Sequence, residues 1–281
     1  MVLGGFVIEQ LSEGFFELFE DGSIQKMDPS RLKNPIDDPS LGKYSSALGI
    51  DPLLINRNEF NIVIDPGLGW GLDANSEYRD TSNVVTNLDI FGLRKEEIDI
   101  VIFTHLHFDH VAGATFVSDD FKTTATFPNA RYLVHQKEWE YALSQLDKNR
   151  LHPGADYRLD ELYKLVAENR LEFVKDDLHS PVEGISLIKT GGHTPGHMAV
   201  KINDENRVAY FTGDLIPTEY HLNHYPVKMP DVDPIQAKKA KTLLLKQAVQ
   251  ENAILFFYHS PYKKSGRLSR DKNRKFVLRD T

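Results

Sequence analysis

The sequence contains no cysteine. That excludes disulfide staples, thiolate zinc sites, a cysteine nucleophile and cysteine-held iron–sulfur clusters together, so any metal must be held by nitrogen and oxygen. No apolar run approaches the roughly 18 residues of a membrane span. Met1 to Gln10 has neither the basic start nor the apolar stretch of an export signal. A cytoplasmic location is therefore expected, with no membrane partner. Internal repeats, low-complexity tracts and Pro/Ser/Gly-rich linkers are also missing, and one domain over residues 1–281 is the simplest organisation. Basic charge is in deficit, 33 Lys and Arg against 41 Asp and Glu, a formal −8. That sign opposes sequence-independent nucleic-acid binding, which depends on neutralising phosphates, so nucleic acid is not an expected partner. Lys263 to Arg279 departs from the average, with eight basic residues against Asp271 alone. A solvated C-terminal segment is expected there.

What is present suits a mixed α/β chain. At 281 residues, about 75% of the unfolded surface can be buried without staples. Short runs rich in β-branched and aromatic residues predict strands at Phe6–Glu9, Pro52–Arg57, Phe60–Asp65, Ile100–Thr104, Arg131–Val134, Leu171–Val174, Ile185–Lys189, Met198–Ile202, Val208–Phe211 and Ile254–Tyr258. Asn58-Glu59 joins the second and third as a hairpin. Helices are expected at Thr81–Phe91, stopped by Gly92, and at Lys137–Leu146 and Leu159–Asn169. A further helix should begin at the N-cap Asp233, with Pro234 at N1 and Gln236 completing a capping box, and run to about Gln250. Strands and helices intermingle with hairpin-like neighbours, which predicts mixed sheets rather than one parallel sheet.

The densest chemistry is His105-Leu106-His107-Phe108-Asp109-His110, directly after the apolar Ile100–Thr104. In an extended segment His105 and His107 point the same way. A turn after Phe108 leads into a helix start at Val111–Ala114, placing Asp109 near a helix N-terminus, where a carboxylate is favoured. Such a cluster is costly to bury unless a cation resolves the repulsion and the unpaired polar groups. Imidazole is also the commonest side-chain metal ligand.

Further ligands are expected from other strand ends. Thr190-Gly191-Gly192-His193-Thr194-Pro195-Gly196-His197 is a sharp loop, not a helix. His193 is the better ligand candidate there, and His197 suits a packing or supporting role. Thr212-Gly213-Asp214 ends an apolar strand, where Asp214 either bridges two cations or is a turn aspartate. His259 ends Ile254–Tyr258 and is either a ligand or a packed, hydrogen-bonded histidine.

In this order, the run 105–110, Gly192–His197, Thr212–Asp214 and Tyr258-His259 resemble the motifs of the metallo-β-lactamase superfamily, over roughly residues 50–260. The resemblance implies a four-layer αββα sandwich with mixed sheets and two metals at the sheet edges. Carried over, it places His105, His107 and His193 on one metal and Asp109, His110 and His259 on the other, with Asp214 bridging. Asp65 and Thr104 would support the ligands from behind. The cofactor implied is two divalent ions, zinc by ligand softness, with Mn2+, Fe2+ and Co2+ as alternatives. The implied chemistry is hydrolysis of an ester-like bond of a small molecule, since paired cations bring a water toward ionisation near neutral pH and polarise the reacting oxygen. Relatives are commonly dimers, which makes a homodimer the implied assembly.

Within the superfamily the chain looks most like the N-acyl-homoserine lactonases. The whole 105–110 string, Phe127–Tyr132 followed by Glu138-Trp139, and Gly213–Thr218 carry that likeness. One departure stands out. The lactonases place a tyrosine three residues after the bridging aspartate, and here that position is Pro217. Tyr220, His221 and Tyr225 are the substitutes in the same loop, of which His221 is preferred as donor to the oxyanion or leaving alkoxide. The catalytic candidates are thus Asp109 and His221. Phe108 is the substrate-binding candidate, ahead of Phe15, Phe16, Trp70 and Met229. Phosphotriesterase, thioesterase and iron-dependent persulfide dioxygenase readings share much of the pattern and are the rivals.

Overall fold

The computed structural model describes residues 1–19, 24–28, 45–58, 60–149, 157–224 and 231–281. Tyr225 and Met229, both candidates above, lie outside the described residues. Two seven-stranded sheets dominate. In spatial order the first comprises Val2–Leu3, Phe6–Gln10, Leu53–Arg57, Phe60–Ile64, Ile100–Ile102, Arg131–His135 and Leu171–Val174. The second comprises Leu178–Val182, Ile185–Lys189, Met198–Asp204, Arg207–Phe211, Ile254–Phe256, Ser265–Arg270 and Phe276–Arg279. In both sheets the spatial order is the chain order.

Each sheet begins as an antiparallel meander and then includes parallel pairs. In the first sheet Phe60–Ile64, Ile100–Ile102, Arg131–His135 and Leu171–Val174 run parallel. In the second only Arg207–Phe211 and Ile254–Phe256 do, among the described strands. A parallel pair needs a long crossover. The helices Val84–Ile90, Gln136–Asn149, Tyr163–Ala167 and Pro234–Gln250 lie within those crossovers.

Three apolar clusters show the layers. Between the sheets, Ile8, Leu53, Ile55, Ile62, Ile64, Ile100 and Ile102 of the first pack with Leu187, Val200, Ile202, Phe211, Ile254 and Phe256 of the second. On the outer face of the first, Val63, Val101, Phe103 and Val134 cover Val84, Leu88, Ala142 and Leu165 of its helices. On the outer face of the second, Ala199, Tyr210 and Leu255 cover Ala237, Leu244, Leu245 and Ala248 of Pro234–Gln250. Strands buried on both faces read as unbroken apolar runs, as in Ile100-Val101-Ile102. The architecture is the expected αββα sandwich with mixed sheets.

All ten expected strands are present, with ends shifted by a residue or two. The helix expected at Thr81 starts at Val84, because Asn83 caps it: its side chain accepts from Val85 and Thr86 N–H, and Thr86 Oγ1 accepts from Asn83 N–H. Asp233 caps Pro234–Gln250 by accepting from Gln236 N–H at 3.0 Å. The Gln236 amide does not complete the box; it donates to Thr190 O at 2.8 Å, binding the helix to the loop before His193. The helix start expected at Val111 comes earlier: a single α-turn, Phe108–Val111, runs into the 3-10 turn Ala112–Ala114 before the chain enters the strand Thr115–Val117.

The basic segment 263–279 is not a plain solvated tail. It forms the last two strands of the second sheet, paired antiparallel, with Leu268 buried on the helix face. Strands Gly14–Phe19, Ile24–Met27 and Ser45–Ile50 form a further three-stranded antiparallel sheet not expected from the sequence.

Candidate metal centre

The parallel strands and their neighbours bring the motifs to one edge. Asp65 follows the strand ending at Ile64, and Thr104 to His110 follow the strand ending at Ile102. Asp214 follows Phe211, and His259 follows Phe256. Met198–Asp204 runs antiparallel to Arg207–Phe211, so its N-terminal end, preceded by His193 to His197, lies at the same edge. Loops beyond the carboxyl ends of parallel strands are where α/β folds assemble sites.

The seven candidate ligands meet there as two groups. His105, His107, His193 and Asp214 converge in one, and Asp109, His110 and His259 in the other, each with donor atoms within 4.8 Å of one another. In the first, His105 Nε2 lies 3.0 Å and His193 Nε2 3.1 Å from His107 Nδ1. In the second, His110 Nε2 is 3.2 Å from His259 Nε2, and His259 Nε2 is 3.5 Å from Asp109 Oδ2. Asp214 faces both. Its Oδ2 lies 3.4 Å from His193 Nε2, while Oδ1 lies 3.4 Å from His110 Nε2 and 3.3 Å from His259 Nε2. Asp214 Oδ1 is buried without a hydrogen-bond partner. Nitrogen ligands about 2.1 Å from a tetrahedral zinc lie close to these separations from one another. The donors are hard oxygens and imidazoles, so their chemistry and spacing suit divalent cations.

Most of the ring nitrogens turned away from the cluster are held. Asp65 Oδ2 lies 2.9 Å from His110 Nδ1 and accepts from Thr104 Oγ1 at 2.6 Å. Thr104 Oγ1 in turn lies 3.0 Å from His105 Nδ1. Asp231 Oδ1 is 3.2 Å from His193 Nδ1, and Gly49 O is 3.0 Å from His259 Nδ1. Such contacts set tautomer and ring direction. Asp65 is wholly buried and has φ +49°, a left-handed conformation that costs about 1 kcal/mol for a non-glycine residue.

His197 is buried behind the cluster. Its Nδ1 meets Thr190 Oγ1 at 2.7 Å, and its Nε2 accepts from Asp214 N–H at 3.1 Å, so it positions Asp214. Gly213 has φ +49°, and a Cβ there would sit 2.7 Å from His197 Nε2 and 3.0 Å from Thr104 Oγ1. Glu138 joins two of the loops. Its buried carboxylate accepts from Leu106 N–H, Gly196 N–H and Thr194 Oγ1. Sequence gives Asp231 no signal, because it lies in no motif, and gives Glu138 no site role of its own. Only Glu138's place in the lactonase-like string marked its neighbourhood.

Electrostatics divide the two groups. Burial, then the neighbouring imidazoles, hold His105 and His107 well below the usual histidine range, so these rings are neutral, as metal-binding imidazoles must be. Burial also lowers His110, but Asp214, Asp109 and Asp65 overcome it and raise that ring well above its ordinary value. Burial would raise Asp214, yet His259 and His110 hold it well below. Three carboxylates around His110 and His259 call for positive charge at that point.

The other candidates are placed as follows. Phe108 is partly buried at the edge of the inter-sheet core, with the Arg158 guanidinium 3.9 Å over its ring. Phe16 is core, and Trp70 packs edge-on to it and stacks on Tyr78. Phe15 is half-buried beneath Lys264. Pro217 is buried, and its carbonyl accepts from His259 N–H at 3.0 Å. Tyr220 packs edge-on against Tyr262. His221 lies in the 3-10 turn Glu219–Leu222, its Nδ1 2.7 Å from Thr218 Oγ1. Burial, then Lys241, push its pKa down to about 4, against the pull of Asp214, so its ring is neutral near pH 7.

Residues 47–259 match the metallo-beta-lactamase superfamily, and the chain belongs to that superfamily. At that level it is a metallo-hydrolase. Among curated proteins it is 24% identical over 189 residues to an N-acyl homoserine lactonase of Bacillus cereus, covering 66% of each chain. It thus spans just under two thirds of that relative's length. A probable metal-dependent hydrolase from Staphylococcus aureus superposes with a TM-score of 0.74 at 25% identity, over 100% of this chain and 99% of the other. A dizinc quorum-quenching lactonase, solved in complex with a product, shares the fold with a TM-score of 0.74 at 22% identity, over 100% and 96%. Among the described residues no helix is long and apolar enough to cross a membrane.

Proposed function

We propose that the chain is a lactonase that opens an ester bond in an N-acyl-homoserine-lactone-like ring with the help of two divalent ions, zinc by preference. The observation that carries this reading is the placement of Asp214, whose two oxygens face different ligand groups and whose buried Oδ1 lacks a hydrogen-bond partner. His105, His107 and His193 would hold one ion, Asp109, His110 and His259 the other, and Asp214 both. Bound there, the ions supply Lewis acidity and bring a water toward ionisation near neutral pH. The lactonase relatives favour a lactone as the substrate.

The remaining work falls to the chain's own groups. Asp109 is half-buried while the other ligand carboxylate, Asp214, is sealed, so Asp109 is the carboxylate placed to take a proton from attacking water and return it. His221, neutral near pH 7 and fixed through Nδ1 by Thr218, acts as an Nε2–H donor to the oxygen that gains charge, in the place of the lactonases' tyrosine. Phe108 forms an apolar wall for the acyl portion.

The test is a panel of lactones, phosphotriesters, thioesters and β-lactams on zinc-, manganese- and iron-loaded protein. Lactone turnover with two ions per chain is the expected result. Phosphotriester turnover without lactone turnover would overturn the substrate assignment. One iron per chain with oxygen consumption would point to the persulfide dioxygenase instead.

A further inference from the structure

Lys241 is buried, at 3% exposure, on the helix Pro234–Gln250. None of the chemistry above uses it. Taking an ammonium out of water costs several kcal/mol unless it is well coordinated. Here it holds the backbone of one loop. Lys241 Nζ donates to His221 O, and to His224 O at 2.8 Å. The Asp231 carboxylate, which meets His193 Nδ1, lies close enough to act on the same ammonium. Burial nevertheless lowers the Lys241 pKa, to about 8, against that pull.

The loop so gripped rests on the candidate centre. Pro217 O accepts from His259 N–H, and the Glu219 carboxylate accepts from Ser260 Oγ and from Lys263 N–H. Its far side meets the C-terminal hairpin, where Asn223 exchanges hydrogen bonds with the Phe276 backbone at 2.8 and 2.9 Å. The loop carries the 3-10 turn Glu219–Leu222. The carbonyls that end such a turn have no partner within it. The buried ammonium binds one of them, His221 O, and also the carbonyl of His224, two residues past the turn.

We propose that Lys241 is a positioning residue for the reaction, holding the His221 turn against the centre through His221 O and His224 O. This rests on the assignment of His221 as the donor that replaces the lactonases' tyrosine. A loop-borne imidazole stabilises an oxyanion only if it is held within tenths of an ångström of its working position. The ammonium fixes the loop from the helix layer. The Asp231 carboxylate, behind His193, lies within electrostatic reach of the same ammonium.

The test uses the metal-loaded full-length chain and three variants. Lys241→Met keeps the aliphatic stem and removes the donors. Lys241→Arg keeps donors and charge. His221→Ala removes the proposed donor. Lys241→Met should lower kcat about tenfold with KM within twofold, and Lys241→Arg should recover most of the loss. In the His221→Ala background, Lys241→Met should cost nothing further, because residues acting as one unit are non-additive. Hydrogen–deuterium exchange of the segment 216–224, which needs no substrate, should rise at least fivefold in Lys241→Met while metal content stays at the wild-type level. Wild-type exchange in Lys241→Met would overturn the proposal, whatever the substrate is. A full multiplicative loss in the double variant would overturn it too, by showing that Lys241 acts independently of His221. Faster exchange in a chain that turns over no lactone would refute the lactonase reading and leave the grip of Lys241 on the loop standing.

Discussion

Gly213→Ala tests the centre with one added carbon. Gly213 sits at φ +49°, where an L-residue with a Cβ costs about 1 kcal/mol or more. The added Cβ would lie 2.7 Å from His197 Nε2 and 3.0 Å from Thr104 Oγ1. His197 is wholly buried and anchored through Nδ1 by Thr190 Oγ1, so it has little room to retreat. The bond that gives way is Asp214 N–H to His197 Nε2, at 3.1 Å. An unpaired buried backbone N–H costs about 1–3 kcal/mol. The sum is about 2–4 kcal/mol of folding stability, read by urea denaturation of metal-loaded protein. The displacement acts on Asp214, which faces both ligand groups, so metal stoichiometry should fall in the same variant and turnover with it. Stability within about 0.5 kcal/mol of wild type, together with full metal content, would refute the idea that His197 and Gly213 position Asp214.

Four further outcomes follow from named contacts. Asp214→Ala should remove one or both ions, measured by elemental analysis, and abolish turnover. Asp231→Ala frees His193 Nδ1 and should weaken metal affinity about 10–100-fold, measured by chelator competition. Glu138→Ala leaves the Leu106 and Gly196 N–H groups unpaired and should destabilise the fold by about 2–5 kcal/mol, read as a lower urea midpoint. Glu13 gives a pH signature: burial raises its carboxyl to about 8, although the Leu68, Gly69 and Val84 N–H groups pull the other way. An acid whose folded pKa is raised above its unfolded 4.5 contributes stability present at low pH and lost as pH rises to 8. The stability of wild type minus that of Glu13→Gln should therefore fall by about 2 kcal/mol between pH 5.5 and 7.5, and a flat difference would refute the buried, protonated state.

The interior strands were legible because they are short apolar runs bounded by polar turns, as in Ile100–Ile102 and Ile254–Phe256. The last two strands of the second sheet were not. Ser265–Arg270 buries Gly266 and Leu268 but carries two arginines and two serines that are partly or fully exposed, so composition reads it as tail until a neighbour supplies the ladder. The seven clustered residues were legible for a different reason: each stands directly after or before an apolar strand, and motif spacing carries that. Asp231 and Lys241 had no such signal. Their places depend on how Pro234–Gln250 packs on the second sheet, which is a long-range matter.

The sequence by itself determined the alphabet of the site. Without cysteine, and with histidines and aspartates crowded at strand ends, the ligands could only be nitrogen and oxygen, and they had to meet wherever the strand ends met. Tertiary structure alone decided that the two sheets bring those ends to one edge. It also turned the two oxygens of Asp214 toward different groups and placed Asp65, Asp231 and Gly49 O behind three of the imidazoles. The physical reason is range. Periodicity and turn chemistry act over a few residues, whereas the direction of an imidazole is set by a hydrogen bond from a residue 38, 45 or 210 positions away.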